Sequence, residues 1–182
     1  IRYAFDLDED HPPFITRMRL VPLRNLGACI APDNAWLFLQ GLETLPLRME
    51  RHCANALEMA CRLEAHPRVE WVRYPGLEND PSHATAGRML SNGYGAMIVF
   101  GIRGGAPAGA SFIDGLELVS HLANVGDARS LAIHPATTTH AQMTEEQQRA
   151  AGIAPELVRL SVGLEHIDDL WADVERALAR SA

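Results

Sequence analysis

Residues 124–140, NVGDARSLAIHPATTTH, lead through a polar helix into residues 157–165, LVRLSVGLE, and these two runs decide how the chain is built. Leu157-Val158-Arg159-Leu160-Ser161-Val162 has the apolar, β-branched content of a strand, broken by one arginine at its centre. Leu131-Ala132-Ile133 is a second short strand, ended by His134-Pro135. A guanidinium inside a strand is costly to bury unless an anion meets it. That anion is either an internal carboxylate, with Asp127, Glu156 and Glu165 as candidates, or a ligand. Asn124, Thr137, Thr138 and Thr139 add uncharged hydrogen-bonding groups to the same stretch. They suit a carboxylate ligand, which a planar guanidinium binds through two parallel hydrogen bonds.

Working outward, the apolar run Gly95–Ile102 predicts a strand central to a sheet, and Val69–Tyr74 a strand stopped by Pro75-Gly76. Asn79–Leu90 is a polar loop with a short helix. Gly104-Gly105 turns the chain into a helix over Ala108–Leu116, and Leu118–Leu122 starts another strand. Thr144 and Gln147 form a capping box for a short helix that Gly152 closes. His166–Arg180 is an amphipathic helix, with Ile167, Leu170, Trp171, Val174, Ala177 and Leu178 on one face. Upstream, helical spacing predicts Asn34–Glu43, with Asp33 or Asn34 as N-cap, and Leu45–Ala65, with Pro46 in its first turn. His52, set among charges, is expected on the surface, and Cys53 and Cys61 as small buried thiols. Phe14–Leu26 is expected as a short strand followed by a helical turn, or an ordered connector, ended by Gly27. Ile1–Pro13 is an irregular acidic entry segment. The expected architecture is α/β: leading helices, then a mixed or antiparallel sheet covered by helices.

The 182 residues carry a net charge of −7, which argues against a nucleic-acid surface. No apolar run approaches a membrane span, and no signal-peptide pattern opens the chain. Three cysteines without CxxC spacing point to structural thiols in a reducing cytoplasm. Asp6, Asp8, Glu9 and Asp10 lack the spacing and glycine of a calcium loop. His134 and His140 flank one loop, but no third metal ligand stands at a convincing spacing, so structural hydrogen bonding is expected of them. Gly104, Gly105 and Gly109 lack both the GxGxxG order and a P-loop lysine. Ser130 and Ser161 lack a nucleophile elbow, leaving their hydroxyls and those of the threonines to satisfy bent backbone. All 16 basic residues are arginine; the sequence contains no lysine.

Three stretches together resemble the pyridoxal-phosphate (PLP) enzymes of cysteine and methionine metabolism: LGACIAPDNAWLFLQGLETLPLRMERH (26–52), SHLANVGDARSLAIHPATTTH (120–140) and GIAPELVRLSVGLEHIDDL (152–170). The LQGLETL and HLANVGDA forms are most similar to the O-acetylhomoserine sulfhydrylase branch. Cystathionine synthases and lyases and methionine lyases usually carry a shorter, serine-containing form there. The resemblance implies that the family's carboxylate-binding arginine falls on Arg159, its serine partner on Asn124 and its substrate-proximal threonine on Thr139. It also implies the small domain of a fold-type I, aspartate aminotransferase-like transferase. On that reading residues 1–33 are a connector, 34–65 linking helices and 66–182 the carboxy-terminal small domain. The family's Schiff-base lysine, pyridine-pairing aspartate, ring-stacking tyrosine and phosphate-binding residues precede this region. The cofactor is therefore expected in an upstream domain outside this chain, within a tetramer acting on O-acetyl-L-homoserine and sulfide or a thiol. A stand-alone carboxylate-binding module is the competing expectation. It requires the first long helix to be covered, whereas exposed Trp36, Leu37, Leu39 and Leu42 indicate a missing partner.

Overall fold

The computed structural model describes residues 13–181; the acidic run Asp6–Asp10 lies outside them. The chain divides into two compact units, meeting in sequence at Thr44 and Leu45.

The first unit is helical. Pro13–Met18 (α1) continues through a π-helical turn at Arg19–Leu23 into Arg24–Leu26 (α2), which Gly27 ends in the left-handed conformation at φ 64°. The strand expected within Phe14–Leu26 is thus corrected to helix: the alternation of apolar and basic residues lies on a coil, with Pro22 inside the π turn. Pro32–Glu43 (α3) starts two residues earlier than expected. Its N-cap is Ala31, without a side-chain cap, and Pro32 supplies the preset φ of the first turn. None of these helices buries a side chain.

The second unit opens with Leu45–Glu64 (α4), then Val69–Arg73 (β1), His83–Met89 (α5), Met97–Ile102 (β2), Gly105–Asp114 (α6) and Ser120–His121 (β3). Leu131–Ile133 (β4), a 3₁₀ turn at Pro135–Thr137, Glu145–Ala150 (α7), Leu157–Ser161 (β5) and Ile167–Arg180 (α8) complete it. The strands form one mixed sheet in the order β1-β2-β5-β4-β3, antiparallel except for the parallel β3–β4 pair.

Period-two alternation decides which residues face the helices. Ile98, Phe100 and Ile102 of β2 and Val158 and Leu160 of β5 are buried beneath α4, α6 and α8. They meet Met59, Ala60 and Leu63 of α4, Phe112 of α6, and Leu170, Val174 and Leu178 of α8. Phe100 and Phe112 pack edge to face at 5.7 Å. Each such ring contributes roughly 1.5–3 kcal/mol by leaving water. On the opposite face Met97, Val99, Leu157 and Arg159 are only half-buried.

Polar side chains tie these layers at their ends. The Asp173 carboxylate, buried on α8, accepts hydrogen bonds of 2.9 Å from the backbone N–H groups of Glu117, Leu118 and Val119 and also takes Arg176. The capping box forms as expected: Gln147 N–H donates to Thr144 Oγ1 and Thr144 N–H to Gln147 Oε1. Two expectations are corrected. His52 is fully buried, its Nδ1 donating to the Val162 carbonyl at 2.7 Å, because it falls on the same stripe of α4 as Ala56, Met59 and Leu63. Cys53 is half-buried and Cys61 exposed, because they sit beside that stripe. Burial still raises the Cys61 thiol pKa, aided by Glu58 and Glu64.

Candidate functional site

Arg159 occupies the middle of β5, between Val99 of β2 and Ile133 of β4. Alternation turns it away from the face that packs against α4 and α6. Its Nη2 donates to the Asn124 backbone carbonyl at 3.1 Å, the one hydrogen bond its guanidinium makes among the described residues. The three internal carboxylates are engaged elsewhere. Glu156 accepts from the Trp71 indole at 3.2 Å, Glu165 accepts from the Ser130 N–H and hydroxyl, and Asp127 accepts from the Arg129 N–H. Among the described residues no ion pair reaches Arg159. Most of its hydrogen-bonding fork is open.

A recess of about 550 Å³ lies on the same face, lined by Trp71, Arg73, Val99, Gly152 and Leu157. Trp71 lies flat across Gly101, where any Cβ would run into the indole. Arg73 Nε is held by Asp80 at 3.0 Å, and Ser82 N–H donates to the same carboxylate at 2.8 Å. Burial alone would raise the Asp80 pKa, but the Ser82 and Arg73 hydrogen bonds outweigh it and leave that pKa below the ordinary value.

Asn124 reaches Arg159 through its main chain rather than its amide. Its Oδ1 accepts from Val125 N–H at 2.9 Å. Thr139 is exposed, its hydroxyl 2.8 Å from His140 Nδ1. Thr137 and Thr138 serve the bend itself. Thr138 Oγ1 donates to the His134 carbonyl at 2.8 Å, and Thr137 Oγ1 lies 2.9 Å from His134 Nδ1. His134 is buried, and its Nε2 donates to the Pro155 carbonyl at 2.7 Å. Both its nitrogens therefore have protein partners, as expected of a structural histidine. Gln148 is a positioning side chain that sequence reasoning missed. It donates to the Ala136 and His140 carbonyls at 3.0 and 2.8 Å, holding the loop that carries Thr139. Among the described residues no group of three His, Cys, Asp or Glu side chains could hold a metal.

The sequence profile of the family described as Cys/Met metabolism PLP-dependent enzyme matches residues 8–179. The chain belongs to that family. An O-acetyl-L-homoserine sulfhydrylase of Leptospira meyeri is 57% identical over 166 residues, covering 91% of this chain and 38% of that protein. An L-methionine gamma-lyase of Pseudomonas putida is 47% identical, covering 92% of this chain and 42% of its own length. A solved O-acetylhomoserine (thiol)-lyase from Campylobacter jejuni, with a pyridoxyl-lysine phosphate at its position 205, superposes with a TM-score of 0.84 at 41% identity. That match covers 97% of this chain and 41% of the other. The chain thus spans about two-fifths of the length of these relatives, and its fold is that of the carboxy-terminal part of a fold-type I PLP enzyme. The residues present do not fit covalent attachment of PLP, since the chain has no lysine to supply the amine.

Proposed function

We propose that this chain is the substrate-carboxylate-binding part of a PLP-dependent O-acetyl-L-homoserine sulfhydrylase, which replaces acetate at the γ carbon by sulfide or a thiol. The observation that supports the reading is the open guanidinium fork of Arg159, on the sheet face where its neighbours Val99 and Leu157 line a recess, with the three candidate carboxylates engaged elsewhere. Arg159 receives the amino acid's α-carboxylate through parallel hydrogen bonds, a geometry lysine cannot reproduce. In this reading the side chains of Asn124 and Thr139 supply further uncharged hydrogen-bonding groups to the substrate. Fixing the carboxylate orients the α and γ carbons, a contribution of position rather than bond chemistry.

The cofactor and its lysine belong to an upstream domain. Residues 1–33 form the connector, 34–65 the linking helices and 66–182 the small domain. The exposed side chains of Trp36, Leu37, Leu39 and Leu42 support a chain that works with such a partner and not a stand-alone module. The assembled enzyme is a cytoplasmic homotetramer in this reading.

The 47% identity to a methionine gamma-lyase sustains a second reading within the family, a γ-lyase or cystathionine γ-synthase. Assay of the complete enzyme with sulfide against cysteine as nucleophile separates the sulfhydrylase from a cystathionine γ-synthase, and release of an α-keto acid and ammonia without a thiol would mark a γ-lyase; sulfide-dependent replacement is expected to be preferred. For the division of labour, this polypeptide mixed with PLP is expected to show no absorbance beyond that of the free cofactor. Borohydride should then fix no pyridoxyl group on it. A stable band that borohydride fixes, accompanied by turnover, contradicts the proposal.

A further inference from the structure

The loop that presents Asn124 to Arg159 is clamped at its far end, and we propose that Glu165 is a positioning residue for carboxylate recognition. The inference rests on the reading of Arg159 given above and deepens it. Glu165 Oε1 accepts from Ser130 N–H at 2.7 Å and Oε2 from the Ser130 hydroxyl at 2.9 Å. The same hydroxyl oxygen accepts from Gly163 N–H at 2.7 Å, and Leu164 N–H donates to the Ala128 carbonyl at 2.8 Å. Ser130 immediately precedes β4, whose Ile133 is the cross-strand neighbour of Arg159. The clamp therefore sets the strand beside Arg159 and anchors residues 124–130, which return the Asn124 carbonyl to its Nη2.

Nothing larger than glycine fits inside the clamp. A Cβ at Gly163 would lie 2.5 Å from Ser130 N and 2.6 Å from the Ala128 oxygen, besides striking the Glu165 carboxylate. From the other side α4 braces the same turn. His52 Nδ1 donates to the Val162 carbonyl at 2.7 Å, and Asn55 Nδ2 donates to the carbonyls of Gly163 and Glu165 at 3.0 and 2.9 Å.

Electrostatics give the clamp a second consequence. Glu165 is half-buried, and among the described residues it has no cationic partner. An anion six residues from Arg159 is the kind of group that could neutralise it. Committing both oxygens to Ser130 keeps that charge off the guanidinium and leaves the fork to an incoming carboxylate.

The test uses the holoenzyme that carries this chain, with O-acetyl-L-homoserine and sulfide varied separately. Glu165→Ala is expected to raise KM for O-acetyl-L-homoserine about tenfold, the worth of one charge-assisted hydrogen bond, with kcat within about threefold and KM for sulfide unchanged. Glu165→Gln keeps an acceptor for Ser130 N–H and should recover most of that loss. If Glu165→Ala does not fold, Glu165→Gln and Ser130→Ala decide, each expected to raise the same KM about threefold. A fall in kcat and thermal stability with KM unchanged marks a merely structural role and overturns the proposal. Arg159→Lys serves as the reference arm. If it leaves KM unchanged, the reading of Arg159 fails and this inference with it. If it raises KM while the Glu165 and Ser130 variants do not, the positioning role alone is wrong.

Discussion

Residues 13–44 and 45–181 are both rich in apolar side chains, yet they use them in opposite ways. In the second unit Phe100 of the sheet and Leu63, Phe112 and Val174 of the helices packed on it are completely buried. In the first, Trp36, Leu37, Phe38 and Leu39 are 59–68% exposed, and no described helix buries a side chain. Helical spacing of apolar residues forms a helix in both places, but only the second unit brings a surface of its own to cover the stripe. The difference teaches that one unit is organised by its own core, while the other leaves its apolar side chains largely exposed.

The contrast can be broken by deleting one ring from each unit. Phe100→Ala is expected to cost about 3–5 kcal/mol, since the cavity lies where Phe112 and the strands cannot collapse. Trp36→Ala in the same chain should change stability by no more than about 0.5 kcal/mol. Urea titration followed by the fluorescence of Trp71 and Trp171, both in the second unit, measures each effect. Equal losses would contradict the comparison.

A smaller effect sharpens the picture of the second unit. The Asp80 pKa is depressed in the folded chain, so its stabilisation is fully present above the ordinary carboxylate pKa of about 4 and is lost as pH falls through the folded value. Asp80→Asn is expected to cost about 1 kcal/mol near neutral pH, through weakened bonds to Ser82 and the half-exposed Arg73. The gap between the two proteins should close as pH falls through the folded-state pKa of Asp80, which lies below the ordinary carboxylate value. A gap that persists or widens in acid would show that the carboxylate charge is not the source.

How much of this could be read beforehand depended on whether the physics was local. Leu131–Ile133, the capping box at Thr144 and the helix after His166 came straight from spacing and end chemistry, because their signals lie within a few residues. The charged neighbours of His52 suggest a surface position, but its helical period places it in the core: 52, 56, 59 and 63 trace one buried stripe. The π turn at Arg19–Leu23 was hidden behind alternation that resembles a strand. The Ser130–Glu165 clamp joins residues 35 apart in sequence, and Asn55 meets Gly163 across 108. No local pattern announces such pairs. Sequence did single out Arg159, but only the structure shows Asp127, Glu156 and Glu165 committed to other partners.

The most direct measurement is steady-state kinetics of the complete enzyme carrying Arg159→Lys, with O-acetyl-L-homoserine and sulfide titrated in turn. The account predicts a KM for O-acetyl-L-homoserine raised on the order of a hundredfold, with KM for sulfide within about twofold, because a point charge replaces the bidentate fork. An unchanged KM for O-acetyl-L-homoserine would contradict it.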